Sequence, residues 1–209
     1  MGIEPASNTA KVAKDKGIET IEEFFGNSLA KKLSLQGIKA DLLIGNNVIA
    51  HVPDVNDFVS GMKMILNEKG IITMEFPHLT NIIEKNEFDT VYHEHYSYFS
   101  LNTIKKIFEK FGLEIFDVEE IPTHGGSLRI YAKHLADKTK NVSANINNLL
   151  MKEESIGLKN IIYYKKYKDK IEKIKYELVS FLLEQKKMEK KLLHMAQRPR
   201  GILYLIIAE

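Results

Sequence analysis

Strand-like and helix-like segments alternate along the first 134 residues, and this alternation constrains the fold more than any other feature. The apolar run 40–45 is typical of a buried strand, as is 71–76, and between them residues 55–66 place apolar side chains at helical spacing, with Gly70 as a stop. Two further strand-like segments, 113–121 and 127–134, follow in succession. The pattern predicts a doubly wound α/β fold, a parallel-dominated sheet with an antiparallel hairpin at its edge.

From about residue 141 the pattern changes to long helices. Residues 155–193 carry apolar side chains at helical spacing among many lysines, with glutamates and aspartates interspersed. This mixture favours a solvated helix face over a nucleic-acid or lipid-binding patch. We therefore predict a core over 1–140 and a helical linker over 141–191, followed by a tail over 192–209.

The composition favours one ordinary globular core and a soluble protein. Lys and Arg number 30 against 28 Asp and Glu, so the net charge of +2 suggests neither a nucleic-acid nor a membrane partner. The absence of cysteine excludes a disulfide framework, a thiolate nucleophile and a cysteine zinc site. No apolar run reaches the roughly 18 residues that span a bilayer. We expect a cytoplasmic protein.

Polar side chains follow two of the predicted strands. Glu4 comes directly after a strand end, where an open α/β sheet binds nucleotides and a carboxylate can accept both ribose hydroxyls. Asn46 and Asn47 follow the apolar strand 40–45, although Gly-Asn is also ordinary turn chemistry. Together these residues predict a nucleotide-binding edge.

The stretch "YHEHYSYF", residues 92–99, concentrates groups suited to proton chemistry. In extended conformation Tyr92 and Glu94 would point to one face and His93 and His95 to the other. A histidine beside a carboxylate suits a general base, with the glutamate fixing its tautomer.

Two other interpretations of this stretch stay open. A metal site would need His93 and His95 with a third ligand such as His51 or His124, but no recognised ligand spacing is present. A wholly structural cluster is the other alternative. The residue types alone do not choose among the three.

Five stretches together resemble the S-adenosylmethionine-dependent C-methyltransferases that act on nucleotide-activated keto-deoxysugars. They run from residue 2 to about 134: "GIEPASNTAKVAKDKGIETIEEFFG", "GNNVIAHVPDVNDFVSGMK", "ITMEFPHL", "FDTVYHEHYSYFSL" and "VEEIPTHGGSLRIYAKH". The resemblance implies a Rossmann-like class I methyltransferase core, S-adenosylmethionine as cofactor, a nucleotide-sugar substrate and no metal requirement for the transfer. It also implies that Glu4 binds the cofactor ribose, that Phe25 borders the adenine, and that Asn46 and Asn47 lie near the methionine moiety.

The resemblance further implies the catalytic residues. His95 would abstract the proton from the carbon next to the sugar ketone, while Tyr92, Glu94 and His51 would line the enolate and orient the base. Such chemistry needs a positioned base, a partner for the oxyanion and a nearby methyl donor.

The chain also departs from the family pattern. The family's zinc-binding domain and glycine-rich loop would precede Met1, and its second α/β domain would follow residue 191. We therefore expect a truncated core that lacks its central first strand and is inactive alone; whether another chain complements it is open. The tail suggests a frame-shift near residue 191. Codons for residues 192–208 can be chosen, where the genetic code leaves a choice, so that translation from the third base gives "VAYGAAAKGNTLFNYCG". That peptide resembles the family's next element.

Two rival functions remain. A catalytically inactive remnant would act as a binding or interaction module through its lysine-rich helices. A nucleotide-sugar epimerase or dehydratase is disfavoured, because the core has neither the Tyr-x-x-x-Lys dyad nor the nicotinamide glycine loop.

Overall fold

A computed structural model describes residues 1–188 as an α/β fold. The described strands are β1 (Gly2–Ile3), β2 (Thr20–Ile21), β3 (Ala40–Asn46), β4 (Leu66–Pro77), β5 (Leu113–Ile121) and β6 (Ser127–His134). The described α-helices are α1 (Ser7–Asp15), α2 (Asn27–Leu35), α3 (Val55–Ile65), α4 (Leu79–Glu84), α5 (Leu101–Lys110), α6 (Ala144–Ser155) and α7 (Ile161–Lys187). Strands and helices alternate as predicted, so the α/β class is confirmed.

The larger sheet has four strands in the order β3-β4-β6-β5. Strands β3 and β4 are parallel, and β6 runs antiparallel to both of its neighbours, β4 and β5. The predicted antiparallel hairpin is therefore present. Its second strand, β6, lies next to β4, which places the loop between β5 and β6 beside the carboxyl end of β4.

The boundary between α3 and β4 differs from the prediction. We expected Gly70 to stop the helix, but α3 ends at Ile65 and the strand already begins at Leu66. Gly70 lies inside β4, where an added Cβ would stand 2.8 Å from the carbonyl oxygen of Ala40. The glycine therefore permits close approach of β3, near the irregularity in the β3–β4 register, rather than ending a helix.

The sheet is divided into two parts. Strands β1 and β2 pair with each other in a separate two-stranded sheet, and β3 forms an edge of the larger one. Both parts pack on one hydrophobic cluster that includes Leu29 and Leu33 of α2, through Ile3 on one side and Leu43 on the other. That a further strand belongs between β1 and β3 stays a prediction of the family resemblance.

The start of α3 fixes the loop that carries His51. Asp54 caps the helix as its side chain accepts hydrogen bonds from the main-chain N–H groups of Asn56 and Asp57, both at 3.0 Å. The buried side chains Phe58, Val59 and Met62 then pack α3 into the main core. Since the loop ends at a capped, buried helix, its position relative to the sheet is set.

The carboxylate of Glu153, on α6, joins three elements. It accepts hydrogen bonds from the main-chain N–H groups of Leu101 (2.6 Å) and Asn102 (2.9 Å), the first residues of α5. His78, just after β4, donates from Nε2 to the same carboxylate at 2.9 Å. Glu153 is 2% exposed and His78 is 0% exposed. The carboxylate thus closes both ends of the segment that runs from β4 to α5, which includes "YHEHYSYF".

Helix α7 accounts for most of the predicted helical region. It spans 27 residues, and none of them is fully buried. The last residues of the predicted linker and the whole predicted tail, 192–209, lie outside the described residues, so the frame-shift remains a hypothesis.

Replacing Glu153 by alanine should lower the free energy of unfolding by about 3–5 kcal/mol, because His78 and two helix N–H groups would lose a buried partner. Glu154→Ala is the matched control: its side chain is 69% exposed and pairs with Lys159 at the surface. The control should change the stability by about 1 kcal/mol at most. Urea denaturation measures both, and equal effects would show that the Glu153 contacts do not stabilise the fold.

Within residues 1–188 no strand pairs with the outer edge of β3, and this edge should promote aggregation. Leu42 is 53% exposed and Ile44 is 66% exposed on this edge strand. Ile44→Lys should slow aggregation, followed by light scattering, while changing the stability by no more than about 0.5 kcal/mol. Ile44→Val keeps an apolar edge and should aggregate like the parent; aggregation of Ile44→Lys at the parent rate would contradict the expectation.

Candidate functional site

Two loops at the carboxyl side of the sheet bring the histidines together. The carbonyl oxygen of Ala50 accepts hydrogen bonds from the main-chain N–H groups of Tyr96 (2.9 Å) and Ser97 (3.3 Å). As a result the imidazole rings of His51 and His95 lie edge to face, with 4.7 Å between their centroids. The two residues are 44 positions apart in sequence and share one site, as the proton-chemistry interpretation requires.

The segment around His95 is a turn rather than the extended conformation that the alternation argument assumed. The main-chain N–H of His95 donates to the carbonyl oxygen of Tyr92 at 3.0 Å. In consequence the rings of Tyr92 and His95, which an extended chain would send to opposite faces, lie 4.4 Å apart. The alternation argument was wrong here because the chain closes a hydrogen-bonded turn of four residues.

The tautomer of His95 is fixed by the main chain. Its Nδ1 lies 2.8 Å from the carbonyl oxygen of Thr90. Because a carbonyl oxygen can only accept, Nδ1 must carry the proton, and Nε2 of the neutral ring is the basic nitrogen. We predicted this role for Glu94, but its carboxylate lies 4.0 Å from His93 Nε2, and the Nδ1 hydrogen bond goes to Thr90.

His93 lies at the exposed margin of the cluster. Its side chain is 81% exposed, and its ring lies 6.0 Å from that of Tyr92 rather than against His95. Within residues 1–188, no three histidine, aspartate or glutamate side chains lie together in a way that could hold a metal ion. The geometry of the described residues therefore gives no support to the metal interpretation of "YHEH".

Tyr98 belongs to the site, although the sequence argument did not select it. Its ring lies 5.8 Å from that of His95, at 79°. Burial raises the pKa of the Tyr98 hydroxyl above its ordinary value, and a hydrogen bond from the main chain of Tyr92 opposes the rise. The sequence signal that could have found Tyr98 is its place three residues after His95. That spacing becomes informative only when the turn from Tyr92 to His95 is known.

Asn47 combines a left-handed backbone conformation with a buried side-chain oxygen. Its φ is 54°, in the left-handed region, and its main-chain N–H donates to the carbonyl oxygen of Glu75 at 2.8 Å. The side-chain Oδ1 is buried and has no hydrogen-bond partner. Asn46, one residue earlier, is exposed at the end of β3. A buried acceptor without a donor is costly, so it points to a ligand that supplies one.

Glu4 and Phe25 lie on the side of the smaller sheet. Glu4 follows β1, and its Oε1 accepts a hydrogen bond from the N–H of Ala6 at 2.8 Å. The ring of Phe25 stands edge to face with that of Phe58 at 5.3 Å and touches both hydrophobic clusters. Glu4 contacts Ala6 and Phe25 contacts Phe58, whereas the histidine cluster is built from the loops that follow β3 and β4.

Two residues of the "PTHGGSLR" stretch donate hydrogen bonds to the buried carboxylate of Glu75, a contact that the sequence argument also missed. Glu75, 5% exposed near the end of β4, accepts hydrogen bonds from Thr123 Oγ1 (2.9 Å) and Arg129 Nη2 (3.1 Å). Arg129 also lies 3.6 Å from Glu119. Thr123 lies in the loop that joins β5 to β6 and Arg129 lies in β6, so these bonds tie the hairpin to the strand that carries Glu75.

Among the described helices, none combines the length and the apolar character needed to cross a bilayer.

Comparisons with known proteins identify two family models along the chain. A model described as "Methyltransferase domain" matches residues 2–118, and one described as "C-methyltransferase C-terminal domain" matches residues 122–205. Among curated proteins, the C-methyltransferase NovU of Streptomyces niveus is 33% identical over 178 residues. That match covers 85% of this chain and 42% of NovU, so the chain spans less than half the length of its relative.

A solved structure agrees on the fold. A SAM-dependent methyltransferase from Thermotoga maritima, described as a possible histamine N-methyltransferase, superposes with a TM-score of 0.50 at 19% identity. The superposition covers 64% of this chain and 72% of the other. Since the methyltransferase-domain model spans more than half of the 209 residues, the chain belongs to the methyltransferase-domain family, whose cofactor is S-adenosylmethionine.

Proposed function

We propose that the chain is the core of a cytoplasmic C-methyltransferase, an enzyme that adds a methyl group to the carbon next to the ketone of a nucleotide-linked deoxysugar. The observation that carries the proposal is the ring cluster of His51, Tyr92 and His95, in which Thr90 holds the proton of His95 on Nδ1. A neutral histidine with a basic Nε2 is suited to removing a proton from carbon. The C-methyltransferase relative and the matching C-terminal domain model support the reaction class.

The residues present fit S-adenosylmethionine. The unpaired Oδ1 of Asn47 is an acceptor at the carboxyl edge of β3, and the methionine moiety of the cofactor offers an ammonium donor. The carboxylate of Glu4, at the end of β1, would accept from the ribose hydroxyls, and the half-buried ring of Phe25 would border the adenine. Asn46 would lie beside Asn47 on the same moiety. Bound S-adenosylmethionine supplies the methyl group.

Each side chain of the cluster has a separate role in the proton transfer. His95 Nε2 takes the proton from the carbon next to the ketone, and the electron pair of that C–H bond moves onto the ketone oxygen. His51 and Tyr92, in contact with His95, would stabilise the resulting enolate, with Glu94 at the rim. The enolate carbon is the nucleophile to which a bound cofactor would supply the methyl group, leaving S-adenosylhomocysteine, and His95 releases its proton to water.

The proton step can be tested without the cofactor. In deuterated water, a nucleotide-linked keto-sugar mixed with the chain should exchange the hydrogen next to the ketone, followed by NMR. His95→Gln should slow this exchange by about 100-fold or more, since a positioned general base contributes at least that much. His93→Gln, two residues away with an 81% exposed side chain, should exchange at the parent rate. Equal exchange by the parent and His95→Gln would remove His95 as the base.

Asn47 should affect binding and stability in opposite ways. Asn47→Gly keeps the positive φ and removes a buried unpaired acceptor, so the free energy of unfolding should not fall. The same change should weaken binding of S-adenosylmethionine by about 10-fold or more, measured by isothermal titration calorimetry, since a hydrogen bond to a charged group contributes about 1.5–3 kcal/mol. Glu19→Gln, at an exposed glutamate before β2, is the control. Unchanged affinity in Asn47→Gly would place the cofactor elsewhere.

A non-catalytic binding module is the second candidate, and helix α7 favours it. Ile161, Ile162 and Phe181 are each more than half exposed on a helix that has no fully buried residue in 27. Such a helix suits pairing with another chain, which could also complement the core. The absence of both S-adenosylmethionine binding and hydrogen exchange would favour this role.

A further inference from the structure

We infer that Tyr98 is a positioning residue, which keeps the imidazole of His95 in the orientation that presents Nε2. The inference rests on the proposed function only for the role of His95 as base; the orientation itself belongs to the folded chain. Neither the sequence argument nor the family comparison assigns a role to Tyr98.

Three rings enclose the imidazole of His95. Tyr92 lies at 4.4 Å, His51 at 4.7 Å and Tyr98 at 5.8 Å between centroids, at interplanar angles of 47°, 67° and 79°. Rotation of the imidazole about its ring axis would exchange Nδ1 with a carbon and break the 2.8 Å hydrogen bond to the Thr90 carbonyl. Packing from several sides hinders this rotation. Of the three, Tyr98 stands closest to perpendicular to the imidazole plane.

Tyr98 also acts on the turn that places His95. The main chain of Tyr92 lies near enough to the Tyr98 hydroxyl to oppose the rise of its pKa, so Tyr98 also neighbours the first residue of the turn that His95 ends. Burial keeps the phenol neutral, because it raises the pKa of Tyr98 above its ordinary value of 10.0. An uncharged phenol exerts little long-range electrostatic effect. Its influence on His95 is therefore geometric, through the ring and through the turn.

The tautomer of His95 provides a direct readout. In the 209-residue chain labelled with 15N at its histidines, couplings from the ring protons distinguish Nδ1–H from Nε2–H, and His95→Gln identifies the His95 signals. The parent should show His95 as a single Nδ1–H tautomer. Tyr98→Phe, which keeps the ring and removes the hydroxyl, and Tyr98→Leu, which removes both, should each show loss of that single form, with the larger loss in Tyr98→Leu.

The matched control is Tyr96→Phe, the same chemical change at a side chain in the same segment that is 61% exposed. It should leave the His95 tautomer unchanged. Amide spectra check that each variant is folded; if Tyr98→Leu is not, the nearly isosteric Tyr98→Phe decides. A parent-like His95 tautomer in the folded Tyr98 variants would overturn the inference. Since no substrate is present, this result is independent of the hydrogen-exchange test of the proposed function.

Discussion

The buried carboxylate of Glu153 is the interaction on which the arrangement of the site depends. It accepts from the first two N–H groups of α5 and from His78 behind β4, so a single residue of α6 holds both ends of the segment that carries His95. A buried carboxylate is stable only when hydrogen bonds replace its water shell. Here those bonds come from a helix N-terminus and a histidine, and meeting this requirement fixes α6 against the sheet.

Between these fixed ends, main-chain carbonyl groups shape the segment that carries His95. The turn from Tyr92 to His95 stacks two rings, the Thr90 carbonyl sets the tautomer, and the Ala50 carbonyl draws His51 to the cluster. Main-chain carbonyl oxygens accept all of these hydrogen bonds. In the proposed function His95 Nε2 acts on the substrate, and a base in that role needs this kind of positioning.

Much of the fold could be predicted from local pattern. The helix after Asp54 and the final hairpin follow from capping chemistry and hydrophobic periodicity, which act over a few residues. The role of Gly70 was predicted wrongly, because a glycine is needed there to make room for a carbonyl oxygen of the neighbouring strand, 30 residues earlier in the sequence. The pairing of Thr123 and Arg129 with Glu75 was missed for the same reason: it depends on which strands become neighbours.

By itself the sequence determined the α/β class, the position of the hairpin and the residue types available for proton chemistry, since these depend on composition and on spacing along the chain. Only the tertiary structure decided that His51 meets His95, that Thr90 rather than Glu94 holds its proton, and that Tyr98 joins the cluster. The physical reason is that a turn and two loop contacts reverse the side-chain directions that an extended chain would give. Those contacts form between atoms whose proximity is set by the packed sheet rather than by the order of residues.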